Sequence, residues 1–445
     1  MMKKKMKYKE TGIAWMPQIP EHWDVVRLKS IVPSLQSGVW GNDPKEDKND
    51  IYCIRVADFD RWNYGISEEK LTIRNIEEKE QEGRLLHLKD LIIEKSGGGD
   101  ISPVGRVVFY NLDKKAVSSN FIARLIIGTD INREYLYYIF RTLYNGRLNI
   151  PSIKATTGIQ NLDLYSYFQN KIPLPPLVEQ ADLVTYIKAK TEKINLFIRK
   201  KQQLIELLKE KRQGIINEAV TKGVTPNVKM KASGIEWIGD VPEHWELWKV
   251  NRAFKIIGSG TTPDSGNSTY YDNGTINWIN TGDLNDSILE SCEKKITQIA
   301  FDAFSTLRIY PKGTIIIAMY GATIGKTSLL NIEGCTNQAC CALTNSDVFV
   351  NEFVFYWFIS NKKNLIRFSY GGGQPNISQD VIRQLRIPSP PLSEQRQIVS
   401  RIKAETAVID IAITKAEKEI GLVKEYKESM ILEAVTGKIV NLQKK

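Results

Sequence analysis

Ile172-Pro173-Leu174-Pro175-Pro176-Leu177-Val178-Glu179-Gln180 returns later in the chain as Ile387-Pro388-Ser389-Pro390-Pro391-Leu392-Ser393-Glu394-Gln395. Downstream, Glu218-Ala219-Val220-Thr221 returns as Glu433-Ala434-Val435-Thr436. Both pairs are displaced by 215 residues (390 − 175 and 433 − 218), so the segment between the two strings has the same length in both copies. In the first copy that segment has no proline, and Gly214 is its one glycine. Leu183, Ile187, Ile194, Phe197, Leu204, Leu208 and Ile215 recur there at steps close to three and four residues. The second copy places Ile398, Ile402, Ile409, Ala412, Val423 and Met430 correspondingly. Each copy reads as one helix of about forty residues, roughly 60 Å long at 1.5 Å per residue. Pro-Pro forbids an earlier start, and Gly223 and Gly437 supply the stops. Two matched apolar stripes predict mutual, antiparallel coiled-coil packing. Leu183, Ile187, Ile194 and Leu208 would then meet Ile398, Ile402, Ile409 and Val423.

A second repeat opens each half. Gly12-Ile13-Ala14-Trp15 with Pro20-Glu21-His22-Trp23 matches Gly234-Ile235-Glu236-Trp237 with Pro242-Glu243-His244-Trp245, now displaced by 222 residues (234 − 12). The drift means that the material between openings and helices differs in length. Short β-rich runs fill it, such as Leu91–Ile93, Arg106–Tyr110 and Thr314–Ala318, and an amphipathic helix follows in each block near Arg133–Leu143 and Glu352–Asn361. The expected fold is α+β, with two α+β blocks joined by two long helices in a pseudo-two-fold repeat. Its segments are 1–171, a helical spacer 172–223, 224–386 and a second spacer 387–445.

In 445 residues, Lys plus Arg exceeds Asp plus Glu by 61 to 51. That net +10 suits a nucleic-acid partner without requiring one. B-DNA presents itself symmetrically to a two-fold body. No run of eighteen apolar residues occurs, so no membrane span is expected. Met1-Met2-Lys3-Lys4-Lys5 is followed by no apolar stretch, which argues against a secretory signal. Five cysteines with no C-x-x-C pair fit reduced thiols in the cytoplasm and argue against a zinc site. His22 and His244 share one repeat position and read as structural residues where each half begins.

The blocks' loops mix cations, amides, hydroxyls and aromatics, the side chains that hold phosphates and read base edges. The first block offers Arg61, Trp62, Asn63, Lys95, Ser96, Arg106, Lys154, Thr156, Thr157, Gln160 and Asn161. From the second come Ser259, Thr261, Thr262, Tyr320, Thr323, Lys326, Tyr370, Gln374 and Asn376. Lys95, Lys154, Lys326 and Arg106 are expected at phosphates, and Arg61, Asn161, Thr323, Gln374 and Asn376 near bases. Gly321–Thr327 falls one residue short of G-x-x-x-x-G-K-[ST], and a breaker at Gly334 leaves little room for the helix that a P-loop requires. A strand is expected there instead. No Ser/His or Cys/His pair, metal-ligand spacing or Asn/Asp-Pro-Pro-aromatic string appears, so no catalytic centre is expected.

The paired proline-rich strings before long helices, the Gly-Ile-x-Trp…Pro-Glu-His-Trp openings, Trp278–Leu284 and Met319–Lys326 resemble the specificity subunit of type I restriction–modification systems. The resemblance spans essentially the whole chain. It implies that each block is a target recognition domain reading one half of a bipartite duplex target. It further implies that the helices set the gap and dock two methyltransferase (modification) subunits, with restriction/translocase subunits in the full complex. S-adenosylmethionine, ATP and Mg²⁺ would belong to those partners, leaving this chain without cofactor or metal. A self-contained DNA nuclease and a coiled-coil scaffold that touches no DNA are the alternatives.

Overall fold

In a computed structural model of the chain, residues 6–60, 64–156, 158–369 and 376–439 are described. Two compact units emerge, Met1–Lys201 with Lys418–Lys445, and Gln202–Glu417. Among the described residues four helices exceed ten residues: α1 (Arg133–Asn145), α2 (Leu177–Lys222), α3 (Asn351–Arg367) and α4 (Leu392–Val435). Each unit therefore combines one α+β block with the start of one long helix and the end of the other.

The blocks share a plan. In the first, an antiparallel sheet runs in the order Ser34–Ser37, Ile122–Ile126, Leu91–Glu94, Val107–Phe109. In the second, Phe254–Gly258, Cys340–Ser346, Ile315–Ala318 and Thr327–Leu330 take the same order, and Ile288–Leu289 adds a parallel edge. A three-stranded sheet accompanies each, with one parallel and one antiparallel pairing around Asp50–Ile54 and around Ile276–Ile279. The proline-rich strings are themselves strands at their first residues. Lys171–Leu174 pairs with Asp24–Arg27, and Arg386–Ser389 pairs with Glu246–Lys249. Ile172–Leu174 and Ile387–Ser389, grouped with the spacers by sequence, thus complete the blocks before the helices start.

The duplicated Glu-Gln explains how each helix is held. His22 Nε2 lies 2.7 Å from Glu179 Oε1, and Trp23 Nε1 donates to Glu179 Oε2 at 2.8 Å. His244 Nε2 lies 2.8 Å from Glu394 Oε2, and Trp245 Nε1 donates to Glu394 Oε1 at 3.3 Å. Gln180 and Gln395 are fully buried. Gln180 donates to Pro175 O at 2.8 Å and accepts from Asn132 N, the N-cap of α1, at 2.7 Å. Gln395 repeats this with Pro390 O at 2.8 Å and Val350 N at 2.7 Å. One amide therefore ties the proline turn, the long helix and the block helix together, satisfying backbone groups that burial would otherwise leave unpaired.

The far end of each helix returns to the other block's opening. Gly437, at φ +73°, lies where an added Cβ would come 2.3 Å from Pro20 Cδ, and Gly223, at φ +75°, would meet Glu394 Oε1 at 2.6 Å. Glycine is required twice over at these stops, by conformation and by close approach. The first core accordingly unites Trp23, Tyr135 and Phe140 with Leu183 and Ile187 of α2 and Met430 and Val435 of α4. The second unites Trp245, Phe353 and Trp357 with Ile216 and Val220 of α2 and Ile398 and Ile402 of α4.

Within each unit the helix segments run antiparallel. In the first, Asn195 meets Lys427 at 3.0 Å and Lys201 meets Glu419 at 2.6 Å. In the second, Arg212 meets Asp410 at 2.8 Å, and Arg401 meets the Gly223 carbonyl at 3.4 Å. Leu183, Ile187, Ile194, Ile398, Ile402 and Ile409 are buried, and Leu208 and Val423 are half-buried. Phe197 and Leu204, placed in the stripe by apolar spacing, are instead exposed at 39% and 41%. The inward positions are Ile187, Thr191, Ile194, Ile198, Lys201, Ile205, Leu208 and Arg212, stepping four and three in strict alternation. Three of these are polar, so a count of apolar residues slips by one position past Ile194.

Gln180→Ala or Gln395→Ala should each cost about 1–3 kcal/mol, because two backbone groups lose their partner in the first case and three in the second. Urea unfolding of the full chain measures this against Gln202→Ala at an exposed helix position, expected within about 0.5 kcal/mol of wild type.

Candidate nucleic-acid interface

In the first block the candidate residues gather where the loop after Leu91–Glu94 meets the hairpin Ile153–Thr156/Ile159–Leu162. The short strand Ser96–Gly97 pairs with that hairpin, setting Asn161 opposite Ser96 and Gln160 opposite Gly97. Ser96 Oγ donates to Asn161 Oδ1 at 2.7 Å. Gln160 Oε1 accepts from Val104 N at 3.1 Å, so this amide shapes the loop. Lys95 Nζ reaches Ser37 Oγ at 3.0 Å, and partial burial pulls its pKa below the ordinary lysine value. Arg106 lies 4.8 Å over the Tyr144 ring and donates to the Tyr144 hydroxyl at 3.1 Å. That hydroxyl in turn donates to Pro103 O at 2.9 Å. Arg106 and Tyr144 line a cavity of about 600 Å³ with Phe59, Gly98 and Ser102. Expected at the phosphate backbone, Arg106 is a half-buried, oriented fork. Lys154 is exposed and pairs with Asp163 at 2.7 Å.

A matching arrangement stands in the second block. Tyr320 bridges Asn376 as Ser96 pairs with Asn161. The Tyr320 hydroxyl donates to Gln338 O at 2.7 Å, and Thr262 Oγ1 donates to Gln338 Oε1 at 2.6 Å. The loops carrying Ser259, Thr261 and Thr262 are thereby joined to Tyr320 through Gln338. Trp278 Nε1 donates to Thr261 O at 3.1 Å, and Gly260 N donates to Thr336 Oγ1 at 3.0 Å. The Oδ1 of Asn376 is shielded from solvent and has no hydrogen-bond partner among the described residues. Thr323 and Lys326 are half-buried in the turn before the strand Thr327–Leu330. That strand stands where a P-loop would need a helix, as the sequence led us to expect.

Arg61, Trp62, Asn63, Thr157, Tyr370 and Gln374 lie outside the described residues, as does the side chain of Thr156. Tyr144 and Gln338 organise the two clusters and escaped the sequence reading. Tyr144 lies on a helix face that looks like plain core, and Gln338 falls outside the repeated strings. The arrangement offers oriented amides, a guanidinium and hydroxyls on two sheets of equal plan. Among the described residues no group of three or more His, Cys, Asp or Glu is placed to hold a metal ion, and no helix is long and apolar enough to cross a membrane. Cys53 and Cys335 are buried thiols pushed up to about 12 by desolvation, which suppresses the reactive thiolate.

Comparison with known proteins matches residues 20–207 and 242–420 to the family described as Type I restriction modification DNA specificity domain. The type I restriction enzyme MjaVIII specificity subunit of Methanocaldococcus jannaschii is 25% identical over 452 residues, covering 97% of each chain. The StySPI specificity subunit of Salmonella potsdam is 21% identical over 442 residues, covering 95% of this chain and 90% of that one. A solved chain from work on complex assembly and conformational transition of the type I R-M system superposes with a TM-score of 0.69 at 17% identity, covering 95% of this chain and 99% of that one. This likeness concerns the fold.

Tyr144→Phe removes the hydroxyl joining Arg106 to Pro103 and should cost about 1 kcal/mol in urea unfolding without loss of the fold. A cost near zero would mean that the hydroxyl does not organise the loop.

Proposed function

The chain belongs to the type I restriction modification DNA specificity family, and we propose that it is the non-catalytic subunit that reads a bipartite duplex target through its two blocks. The observation that carries this reading is that sheets of equal strand order bear loops of unlike chemistry. One presents Ser96–Asn161 and Arg106–Tyr144, and the other presents Thr262–Gln338 and Tyr320–Asn376. A duplicated scaffold with divergent polar loops is what reading two different half-sites requires. Asn161 and Asn376 are proposed at base edges, where a base contact discriminates by about 1–3 kcal/mol. Lys95, Lys154 and Lys326 are proposed at phosphates, so binding weakens steeply with salt. The proposed domain limits are those read from sequence, with Ile172–Leu174 and Ile387–Ser389 transferred to the blocks.

The two long helices are proposed to form one antiparallel coiled coil that relates the blocks by a pseudo-two-fold axis and sets the half-site gap. The alternating four-three register of inward residues, and pairings that descend on one helix as they ascend on the other, support this. Modification subunits would dock on the helices' outer faces. Leu196 and Ile411 are exposed at 45% and 69%, and Leu207 and Leu422 at 62% and 55%. Both pairs stand at the repeat displacement of 215 (411 − 196 and 422 − 207), giving two like apolar positions for two like partners. S-adenosylmethionine, ATP and Mg²⁺ are assigned to the partner subunits, and the complex to the cytoplasm.

Mapping methylated adenines genome-wide in the host, with and without this chain, tests the reading: one bipartite motif should disappear. Asn376→Ala should relax a single half-site and Asn161→Ala the other, and unchanged discrimination at both would remove these amides from the readout. Leu196→Asp with Ile411→Asp should abolish co-purification of the modification subunit while leaving the melting temperature within a few degrees of wild type. Retained co-purification would place docking elsewhere.

A further inference from the structure

A cavity of about 260 Å³ in the first unit is walled by α1, α2 and α4. Its lining includes Tyr138, Arg141, Lys188, Thr191, Asn195 and Lys427. Two cations there are neutralised within the chain. Lys188 pairs with Glu134 at 2.7 Å, and Arg141 forms a two-pronged contact with Glu428. The third is not. Lys427 is 8% exposed, forms no ion pair among the described residues and donates only to the amide oxygen of Asn195 at 3.0 Å. Beside it, the Thr191 Oγ1 is shielded from solvent and has no hydrogen-bond partner among the described residues.

The repeat supplies an internal control. At the displacement of 215, Lys427 corresponds to Arg212 and Asn195 to Asp410. In the second unit the cation has a carboxylate, with Arg212 Nε 2.8 Å from Asp410 Oδ1. The flanking ion pair is reproduced by Lys403 and Glu352, so charges balance around Tyr356. The first unit holds an amide where the carboxylate belongs, and Lys427 is left without an ion pair among the described residues. An unpaired buried charge is among the most destabilising features a protein can carry. Burial, followed by repulsion from Arg141, pulls the Lys427 ammonium down to about 8.

We propose that this cavity is an anion site, in which a small free oxyanion such as inorganic phosphate sits against Lys427 Nζ and takes the place that Asp410 occupies beside Arg212. The Asn195 side chain lies within the same wall. At about 30 Å³ for each water, the volume equals roughly eight or nine waters, ample for a tetrahedral oxyanion and its residual hydration. Because α1, α2 and α4 all contribute, the bound anion would stiffen the junction between the first block and the helices. The inference rests on the geometry of this unit and is independent of what the loops read.

The test is the melting temperature of the full chain in phosphate-free buffer, titrated with inorganic phosphate or with chloride at constant ionic strength. A ligand that binds only the folded state raises stability with its concentration. Wild type should rise with phosphate more than with chloride. Asn195→Asp supplies the carboxylate internally, so it should melt above wild type without phosphate and lose the response. Lys427→Met should weaken phosphate binding tenfold or more, and ³¹P line broadening reads this directly should the aspartate variant fail to fold. Absence of a phosphate response in wild type would overturn the proposal, as would equal responses in wild type, Asn195→Asp and Lys427→Met.

Discussion

The structure depends on two buried glutamines and the glutamates before them. At the start of each long helix, one carboxylate holds the His-Trp opening of its block and one amide holds the proline turn and the N-terminus of the block helix. These groups sit where an α-helix leaves its first N–H groups unsatisfied and where a proline turn exposes carbonyls. Satisfying both with neighbouring side chains fixes the direction in which the helix leaves its block. Because the same string occurs twice, both helices leave their blocks by the same geometry. The stop glycines close the arrangement from the other end, packing the finish of each helix against the opening that starts the other.

Within this frame, symmetry is kept where direction is set and relaxed where it is not. Glu134–Lys188 and Glu352–Lys403 are equivalent ion pairs, and the two main sheets share their strand order. Departures concentrate in the loops and in a few polar positions of the helices. Ser96–Asn161 becomes Tyr320–Asn376, and Arg212–Asp410 becomes Lys427–Asn195. A loop can change because water or a ligand satisfies its polar groups. A buried charge has no such freedom, and the Lys427 cavity is where the duplicated frame carries an unbalanced change.

Much of this frame was legible in the chain. Equal displacement of the proline strings and the Glu-Ala-Val-Thr strings gave helix length directly, and α2 and α4 span Leu177–Lys222 and Leu392–Val435. Their inward face was harder to read. Thr191, Lys201 and Arg212 occupy inward positions, and an apolar count therefore drifted onto Phe197 and Leu204. Ile172–Leu174 falls in the spacer by the limits of the repeated string, whereas an edge strand tolerates proline and these residues pair with Asp24–Arg27. In the loops, residue type pointed to Asn161, Asn376 and Arg106 but not to their organisers. Tyr144 and Gln338 act through long-range hydrogen bonds that no local spacing encodes.

The central claim is that two independent readers stand on a spacer of fixed length. Inserting one heptad after Lys201 in α2 and one after Glu417 in α4 tests it most directly, because matched insertions keep the inward register while lengthening both helices by roughly 10 Å. Adenine methylation mapped by sequencing reports the half-sites and the gap together. The account predicts unchanged half-sites separated by about three more base pairs. An unchanged gap, or altered half-sites at the old gap, would contradict it.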